Sequence, residues 1–216
     1  VTTETFATFT LASTFDATLS VTRDPCAGGE TLACDDGRMA RLDLPALGPG
    51  DYFVWVDGYR SAGGTYSLQV TEQPAPPLPS NDLCVNATSL DADGTPVTAN
   101  TARATNDLAP PDCRPTPTGR PLALAGRDVA YRVSVPAGGT LRASLAPQGF
   151  DGALYVLDAC GATTCVAASD ASFLAGGSET VAATNTSPAT VEWLVVVDSY
   201  VDAAWGGFSL SVTLDP

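Results

Sequence analysis

Apolar and polar residues alternate with a period of two along most of the 216-residue chain. Ala17, Leu19 and Val21 alternate with Thr18 and Ser20, and Tyr66, Leu68 and Val70 with Ser67 and Gln69. The second half repeats the habit in Val129, Tyr131, Val133 and Val135, in Leu141, Ala143 and Leu145, and in Phe208, Leu210 and Val212 set against Ser209, Ser211 and Thr213. Successive side chains of a strand point to opposite faces, so this pattern predicts strands buried on one face. Gly and Pro punctuate the runs. Tyr52 to Val56 and Val191 to Val197 are apolar on both faces and predict central strands covered from both sides. No stretch sustains a helical period. The fold class expected is all-β: tandem antiparallel β-sandwiches of a jelly-roll-like kind, with short strands closing over a core between two sheets.

Pro74-Ala-Pro-Pro-Leu-Pro-Ser80 interrupts the pattern, and its prolines favour a stiff, extended spacer. It separates residues 1–73 from 81–216, with 74–80 as linker, and the two parts match each other. Thr14-Phe-Asp-Ala-Thr-Leu-Ser-Val21 corresponds to Gly149-Phe-Asp-Gly-Ala-Leu-Tyr-Val156. Phe53-Val-Trp-Val-Asp-Gly-Tyr59 corresponds to Leu194-Val-Val-Val-Asp-Ser-Tyr200, and Gly63-Gly-Thr-Tyr-Ser-Leu-Gln-Val70 to Trp205-Gly-Gly-Phe-Ser-Leu-Ser-Val212. The spacing drifts between blocks, as small loop insertions in two copies of one module would make it. Thr5 pairs with Thr140, which leaves residues 81–135 without a counterpart in the first copy. A sandwich short of its opening strands exposes an unpaired edge and an open core. Two readings follow: the chain is a fragment of a longer array, or a neighbouring protomer fills the gap.

The order of Asn81-Asp-Leu-Cys84, Asp128-Val-Ala-Tyr131, Thr140 to Leu145, Phe150-Asp151, the Cys160 loop, the Val-Asp-x-Tyr strand end and Gly-x-Phe-x-Leu-x-Val resembles the bacterial pre-peptidase C-terminal domain. The resemblance covers nearly all of 81–216 and the later part of the family pattern in 1–73. It implies a jelly-roll-like sandwich of secreted bacterial proteins, appended to peptidases or repeated in surface proteins, with roles in substrate binding and secretion. In collagen-binding relatives it implies calcium. It brings no catalytic residues.

Composition narrows the chemistry. All ten basic residues are Arg, against 24 acids, for a net charge of −14, and His is absent. This excludes a Ser-His-Asp or Cys-His relay, an imidazole zinc ligand, a Schiff-base lysine and a phosphate-loop lysine. A surface this acidic repels a phosphate backbone, so nucleic acid is not an expected partner. No apolar run is long enough to span a membrane, and Val1-Thr2-Thr3 has no signal-like apolar core, as in a processed chain or one cut from something longer. Asn86-Ala-Thr88 and Asn185-Thr-Ser187 match the N-glycosylation pattern. An even number of cysteines without C-x-x-C suits disulfides and an oxidising, secreted or cell-surface setting. Many pairings are open; the preferred ones are local, Cys26 with Cys34, Cys84 with Cys113, and Cys160 with Cys165.

The candidate sites are few. Asp35 and Asp36, with Asp57 in the same copy, and Asp170 and Asp198 in the other, are hard oxygen ligands on strand ends and loops, suited to calcium. Asp before Gly is equally an ordinary turn former. Phe15-Asp16 and Phe150-Asp151 read as fold-determining, a buried aromatic ahead of an Asp that orders a turn. Tyr59, Tyr200 and Trp205 are the aromatic candidates for a binding surface, whereas the Phe53 and Trp55 face of its strand is expected to be core. Glu is scarce and absent from the repeated motifs, so paired-carboxylate glycoside hydrolysis is not favoured. The expectation is a non-catalytic extracellular structural or adhesive protein, with itself or another extracellular protein or polymer as partner. It needs no cofactor beyond an optional calcium, and its rival is a targeting appendage of a secreted hydrolase.

Overall fold

The structure is a computed structural model that describes residues 1–216 except 27, 115–120, 123, 202, 203 and 216. The described residues form fifteen strands and one short 3-10 turn, Cys84–Asn86. They divide into two compact units, Val1–Pro77 and Leu78–Pro216. Each unit is an antiparallel β-sandwich.

Unit 1 holds β1 (Thr5–Ser13), β2 (Ala17–Arg23), β3 (Thr31–Asp36), β4 (Met39–Leu47), β5 (Tyr52–Gly58) and β6 (Tyr66–Pro74). One sheet runs β4-β1-β6 and the other β3-β2-β5. Alternation places Ala7, Phe9, Leu11, Ala17, Leu19, Val21, Ala40 and Leu42 between them as the core. Gly37, at φ +115°, makes the β3–β4 turn, where its N–H bonds the Ala17 carbonyl at 2.8 Å; a residue with a Cβ is strained there.

Unit 2 holds β7 (Thr88–Ser89), β8 (Val97–Asn100), β9 (Val129–Val135), β10 (Thr140–Gln148), β11 (Gly152–Leu157), β12 (Ala167–Ser169), β13 (Glu179–Thr184), β14 (Val191–Ser199) and β15 (Gly207–Asp215). Its sheets run β13-β10-β15-β8 and β12-β11-β14-β9-β7. Strands β10 to β15 repeat β1 to β6 in order and pairing. The additional strands come from residues 88–135: β8 extends one sheet beyond β15, and β9 extends the other beyond β14. The two-residue β7 pairs with β9 in parallel, the one parallel pairing among these strands.

Described residues of the segment from Cys84 to Leu124 also lie as a third layer over the outer face of the five-stranded sheet. Leu108, Cys113 and Leu124 pack there on Ala130, Ala153, Tyr155, Leu157, Leu194 and Val196. This is why β14 is buried on both faces, as its apolar run predicts. The matching run in β5 is not. Tyr52, Val54 and Val56 pack toward the unit 1 core, but Trp55, on the other face, is 42 % exposed where the corresponding Val196 is 0 % exposed. The expectation that the Phe53 and Trp55 face is core is therefore corrected, because the described residues of unit 1 contain no layer to cover it.

The local cysteine pairing is corrected as well. Cys84 bonds Cys160, and Cys113 bonds Cys165, while Cys26 and Cys34 are exposed free thiols. Both bridges fasten the covering layer to the loop between β11 and β12. Proximity along the sequence says nothing about a layer that folds back across a sheet, so the spacing misdirected the pairing. Replacing Cys84 and Cys160 together by Ser opens a cross-link spanning 76 residues. The expected result is a loss of about 2–4 kcal/mol in unit 2 stability, measured by denaturant unfolding.

Candidate functional site

The conspicuous feature of unit 1 is its open side. β5 and β6, which correspond to β14 and β15, are the last strands of their sheets among the described residues. Between them lies a groove of about 500 Å³, lined in part by Ala7, Phe9, Tyr52, Val54 and Val70. In unit 2 the same space is filled by Val97 and Ala99 of β8 and by Val129, Tyr131, Val133 and Val135 of β9, with Tyr131 meeting Phe208 edge to face. Tyr66 is 55 % exposed where Phe208 is 1 %, and Val70 is 45 % exposed where Val212 is 2 %. Inward-facing residues of one repeat are thus half in water where those of the other are core. The stretches Tyr52 to Val56 and Tyr66 to Thr71 contain no charge and no proline, while Asp57, Glu72 and Pro74 lie toward the ends of the two edge strands.

The five aspartates considered for calcium are not brought together. Asp35 accepts the backbone N–H of Asp36 at 2.9 Å and of Arg41 at 2.8 Å, and Asp57 accepts that of Gly58 at 2.8 Å, which are turn-forming roles. Asp36 and Asp57 both stand beside Thr18, on opposite neighbouring strands. Asp170 and Asp198 belong to separate groups in unit 2. Among the described residues, no three or more Asp, Glu or Cys side chains are arranged to hold a metal ion.

Tyr59 and Tyr200 hold equivalent places just beyond β5 and β14, their N–H groups bonded to the carbonyls of Asp16 and Asp151. Both rings are exposed, and the Arg60 guanidinium lies 5.1 Å from the centre of the Tyr59 ring. Trp205 is half-buried with Arg127 5.9 Å over its ring, so it is less of a free platform than its sequence suggests. Phe150 is buried as expected, whereas Phe15 is only half-buried. Exposed Phe173 and Leu174, in the loop before β13, were not singled out because a short apolar pair in a loop has no periodicity to mark it. Of the two glycosylation patterns, Asn86 is exposed. Asn185 is buried and donates to the carbonyls of Val135, Pro136 and Ala189, which leaves no accessible amide for a sugar.

Sequence reasoning named Asp170 and Asp198 as loop ligands but missed that carboxylates of unit 2 are buried, Asp128 and Glu179 among them. Asp128 Oδ2 accepts the N–H groups of Asp107 at 2.8 Å and Leu108 at 2.9 Å, tying the covering layer to the start of β9, while its Oδ1 is buried with no partner. The Tyr155 hydroxyl donates to the Leu108 carbonyl. Asp198 Oδ2, 3.1 Å from that hydroxyl, can bond it through a proton of its own when its carboxyl is neutral. Burial first, then repulsion from neighbouring carboxylates, pushes Asp128 and Asp198 up to about 7. Glu179, fully buried, accepts from the Ser169 hydroxyl and from the N–H groups of Ala171 and Ser172, ordering the loop that carries Phe173. Burial likewise raises Asp170 to about 6. The only hint in the sequence was Asp128 itself, set directly against an apolar strand.

No protein-family model matches the chain, and no curated protein matches it. Among solved structures, similarity extends to an anti-sigma factor domain-containing protein, at 10 % identity over 100 % of this chain and 75 % of the other, with a TM-score of 0.26. A lectin from Pleurotus ostreatus in its apo form is similar at 15 % identity over 98 % of this chain and 68 % of the other, with a TM-score of 0.25.

The carboxylates give a pH dependence with a definite sign. The folded state keeps protons on Asp128 and Asp198 up to about pH 7, whereas the unfolded chain loses them near pH 4. Stability of unit 2 therefore falls as pH rises from about 4 through about 7 and levels off above, by an amount on the order of a few kcal/mol. Asp198→Asn keeps a donor for Tyr155 without the charge. It is expected to flatten that slope and raise the melting temperature at pH 8, as measured by calorimetry across pH.

Proposed function

We propose that this is a non-catalytic extracellular structural or adhesive protein of tandem β-sandwich modules, related to the pre-peptidase C-terminal domain. In this reading, unit 1 takes up a β-strand from another extracellular chain, and repeated uptake builds a surface or filamentous assembly, with a second copy among the candidate partners. The observation that carries the reading is the groove between β5 and β6, lined by Ala7, Phe9, Val54 and Val70 with Asp51 and Glu72, at two strand edges that no described strand pairs. An extended peptide that adds to such an edge gains main-chain hydrogen bonds, and alternate side chains enter the groove. Two disulfides support an oxidising setting. The charge of −14 keeps such a protein soluble before it assembles.

A second reading, an appendage that holds a secreted hydrolase near an insoluble polymer, is favoured by exposed Trp55, Tyr59 and Tyr200. The two separate in one experiment. A synthetic peptide of residues 128–135, the sequence of β9, is titrated into the protein with Trp205→Phe to simplify the emission. Saturable binding with a blue shift from Trp55 is expected, weakened at least about tenfold by Tyr66→Lys with Val70→Lys, changes at positions already half exposed that place charge on the edge. Absence of peptide binding, together with Trp55-dependent retention on cellulose or chitin, overturns the first reading in favour of the second.

A further inference from the structure

The second copy of the repeat carries a loop that the first does without. Leu11 pairs with Leu68 and Ala40, and Leu145 pairs with Leu210 and Glu179, so Glu179 occupies the inward-facing position that Ala40 fills in unit 1. Likewise Leu19 pairs with Asp35 and Leu154 with Ser169, which makes Asp170 the counterpart of Asp36. Unit 1 joins Asp36 to Ala40 through Gly37, Arg38 and Met39, whereas unit 2 uses residues 171–178 for the same connection. The sandwich itself does not require the longer path, and a loop longer than its scaffold needs is where function concentrates.

This loop is held in one shape by a group that has no place in an apolar core. Ala40 and Glu179 are both 0 % exposed, so unit 2 buries a carboxylate where unit 1 buries a methyl group. Such burial is unfavourable unless donors replace the lost water. The donors are the N–H groups of Ala171 and Ser172, each at 2.8 Å, and the Ser169 hydroxyl. Farther along, the Gly176 N–H bonds the Phe150 carbonyl at 2.8 Å, and the Gly177 N–H bonds the Leu174 carbonyl at 2.8 Å. The tip of the loop holds Phe173 and Leu174 in solvent, 75 % and 74 % exposed. Apolar side chains fixed in this way contribute nothing to the folded unit, but lose little freedom when a partner covers them.

The base of the loop says what kind of partner that is. Asp151 and Asp170 each have one carboxyl oxygen, Oδ1, buried with no hydrogen-bond partner among the described residues. Their counterparts in unit 1, Asp16 and Asp36, are exposed. Burial, followed by repulsion from Asp151 and Glu179, raises Asp170 to about 6; burial, followed by repulsion from Glu179, also raises Asp151. A negative field therefore lies beneath an apolar tip. Exposed Tyr200 belongs to the same end of the sandwich: its N–H bonds the Asp151 carbonyl at 3.4 Å, next to the Phe150 carbonyl that holds Gly176.

We infer that the 171–178 loop is a docking surface for a polypeptide segment of another protein that places an Arg or Lys beside an apolar side chain. The apolar group packs on Phe173 and Leu174, and the cation supplies the donors that Asp151 and Asp170 lack. This surface lies wholly in unit 2 and needs nothing from the unit 1 groove. A bilayer is the poorer occupant, because two apolar side chains make a weak anchor and a chain of net charge −14 is repelled by anionic headgroups.

To test this, short random peptides displayed on phage are selected at pH 8, where Asp170 is ionised, on the 216-residue protein. The library is first depleted on the Phe173→Ser, Leu174→Ser double variant, which removes binders of every other surface, the unit 1 groove included. Both positions are already in solvent, so the variant is expected to keep the melting temperature of the parent. The expected outcome is enrichment of sequences with Arg or Lys adjacent to an apolar residue. A synthetic peptide of the enriched sequence is expected to bind at least about tenfold more weakly to Asp170→Asn, and more weakly as salt is added. Enriched peptides without a basic residue, or affinity unchanged in Asp170→Asn, overturn the inference. Failure to enrich any peptide overturns it too, and tip-dependent sedimentation with phosphatidylcholine vesicles in that case assigns the loop to a bilayer instead.

Discussion

Everything distinctive about this molecule follows from the need of a β-sheet to have its edges paired and its apolar face covered. Backbone N–H and C=O groups at an open edge keep a demand for partners, and half-exposed core residues keep a demand for apolar contact. Unit 2 meets both from within. One segment supplies β8 to one edge and β9 to the other, and between them Leu108, Cys113 and Leu124 lie over the back of the sheet, where two disulfides and the Asp128 contacts to Asp107 and Leu108 fasten it. The described residues of unit 1 form the same six-stranded framework, and Tyr66, Val70 and Trp55 are exposed there.

The covering layer also explains the acidic interior of unit 2. Laying Leu108, Cys113 and Leu124 with their neighbours over a sheet whose strand ends carry Asp128 and Asp198 takes both carboxyls out of water. Each is accommodated by bonds to backbone or tyrosine and by holding a proton. Asp57, which corresponds to Asp198, bonds its neighbouring backbone N–H in the same way but is exposed, since no described residue of unit 1 lies over it. One sequence position thus behaves as a turn carboxylate in one copy and as a buried acid in the other, and the difference is the layer above it.

The period-two runs were enough to read the strands, the all-β class and the correspondence of β1 to β6 with β10 to β15, because alternation is a local signal set by one buried face. Burial on the second face was not legible. Tyr52 to Val56 and Val191 to Val197 look alike as strings, yet only the latter is covered on both sides, and what decides this lies far away in the chain. The cysteine pairing failed for the same reason: Cys84 and Cys160 are 76 residues apart and meet only because the layer folds back. Asp35 and Asp57 were suspected as ligands on residue type, but turn geometry accounts for their hydrogen bonds.

A comparison of the two outer faces shows that unit 1 is not simply unit 2 with a piece removed. Had its framework been kept unchanged, Ala, Tyr and Leu would stand on β2 where Thr18, Ser20 and Thr22 do, and a broad apolar surface would face water. Hydroxyls at these positions lower the cost of exposure on that face and satisfy Trp55, whose Nε1 donates to Thr22 Oγ1 at 3.0 Å. The inward-facing positions of β5 and β6 have no such adaptation: Val54, Leu68 and Val70 remain aliphatic beside the groove. Polar substitution on the outer face and apolar retention at the groove thus set the two sides of the β3-β2-β5 sheet apart.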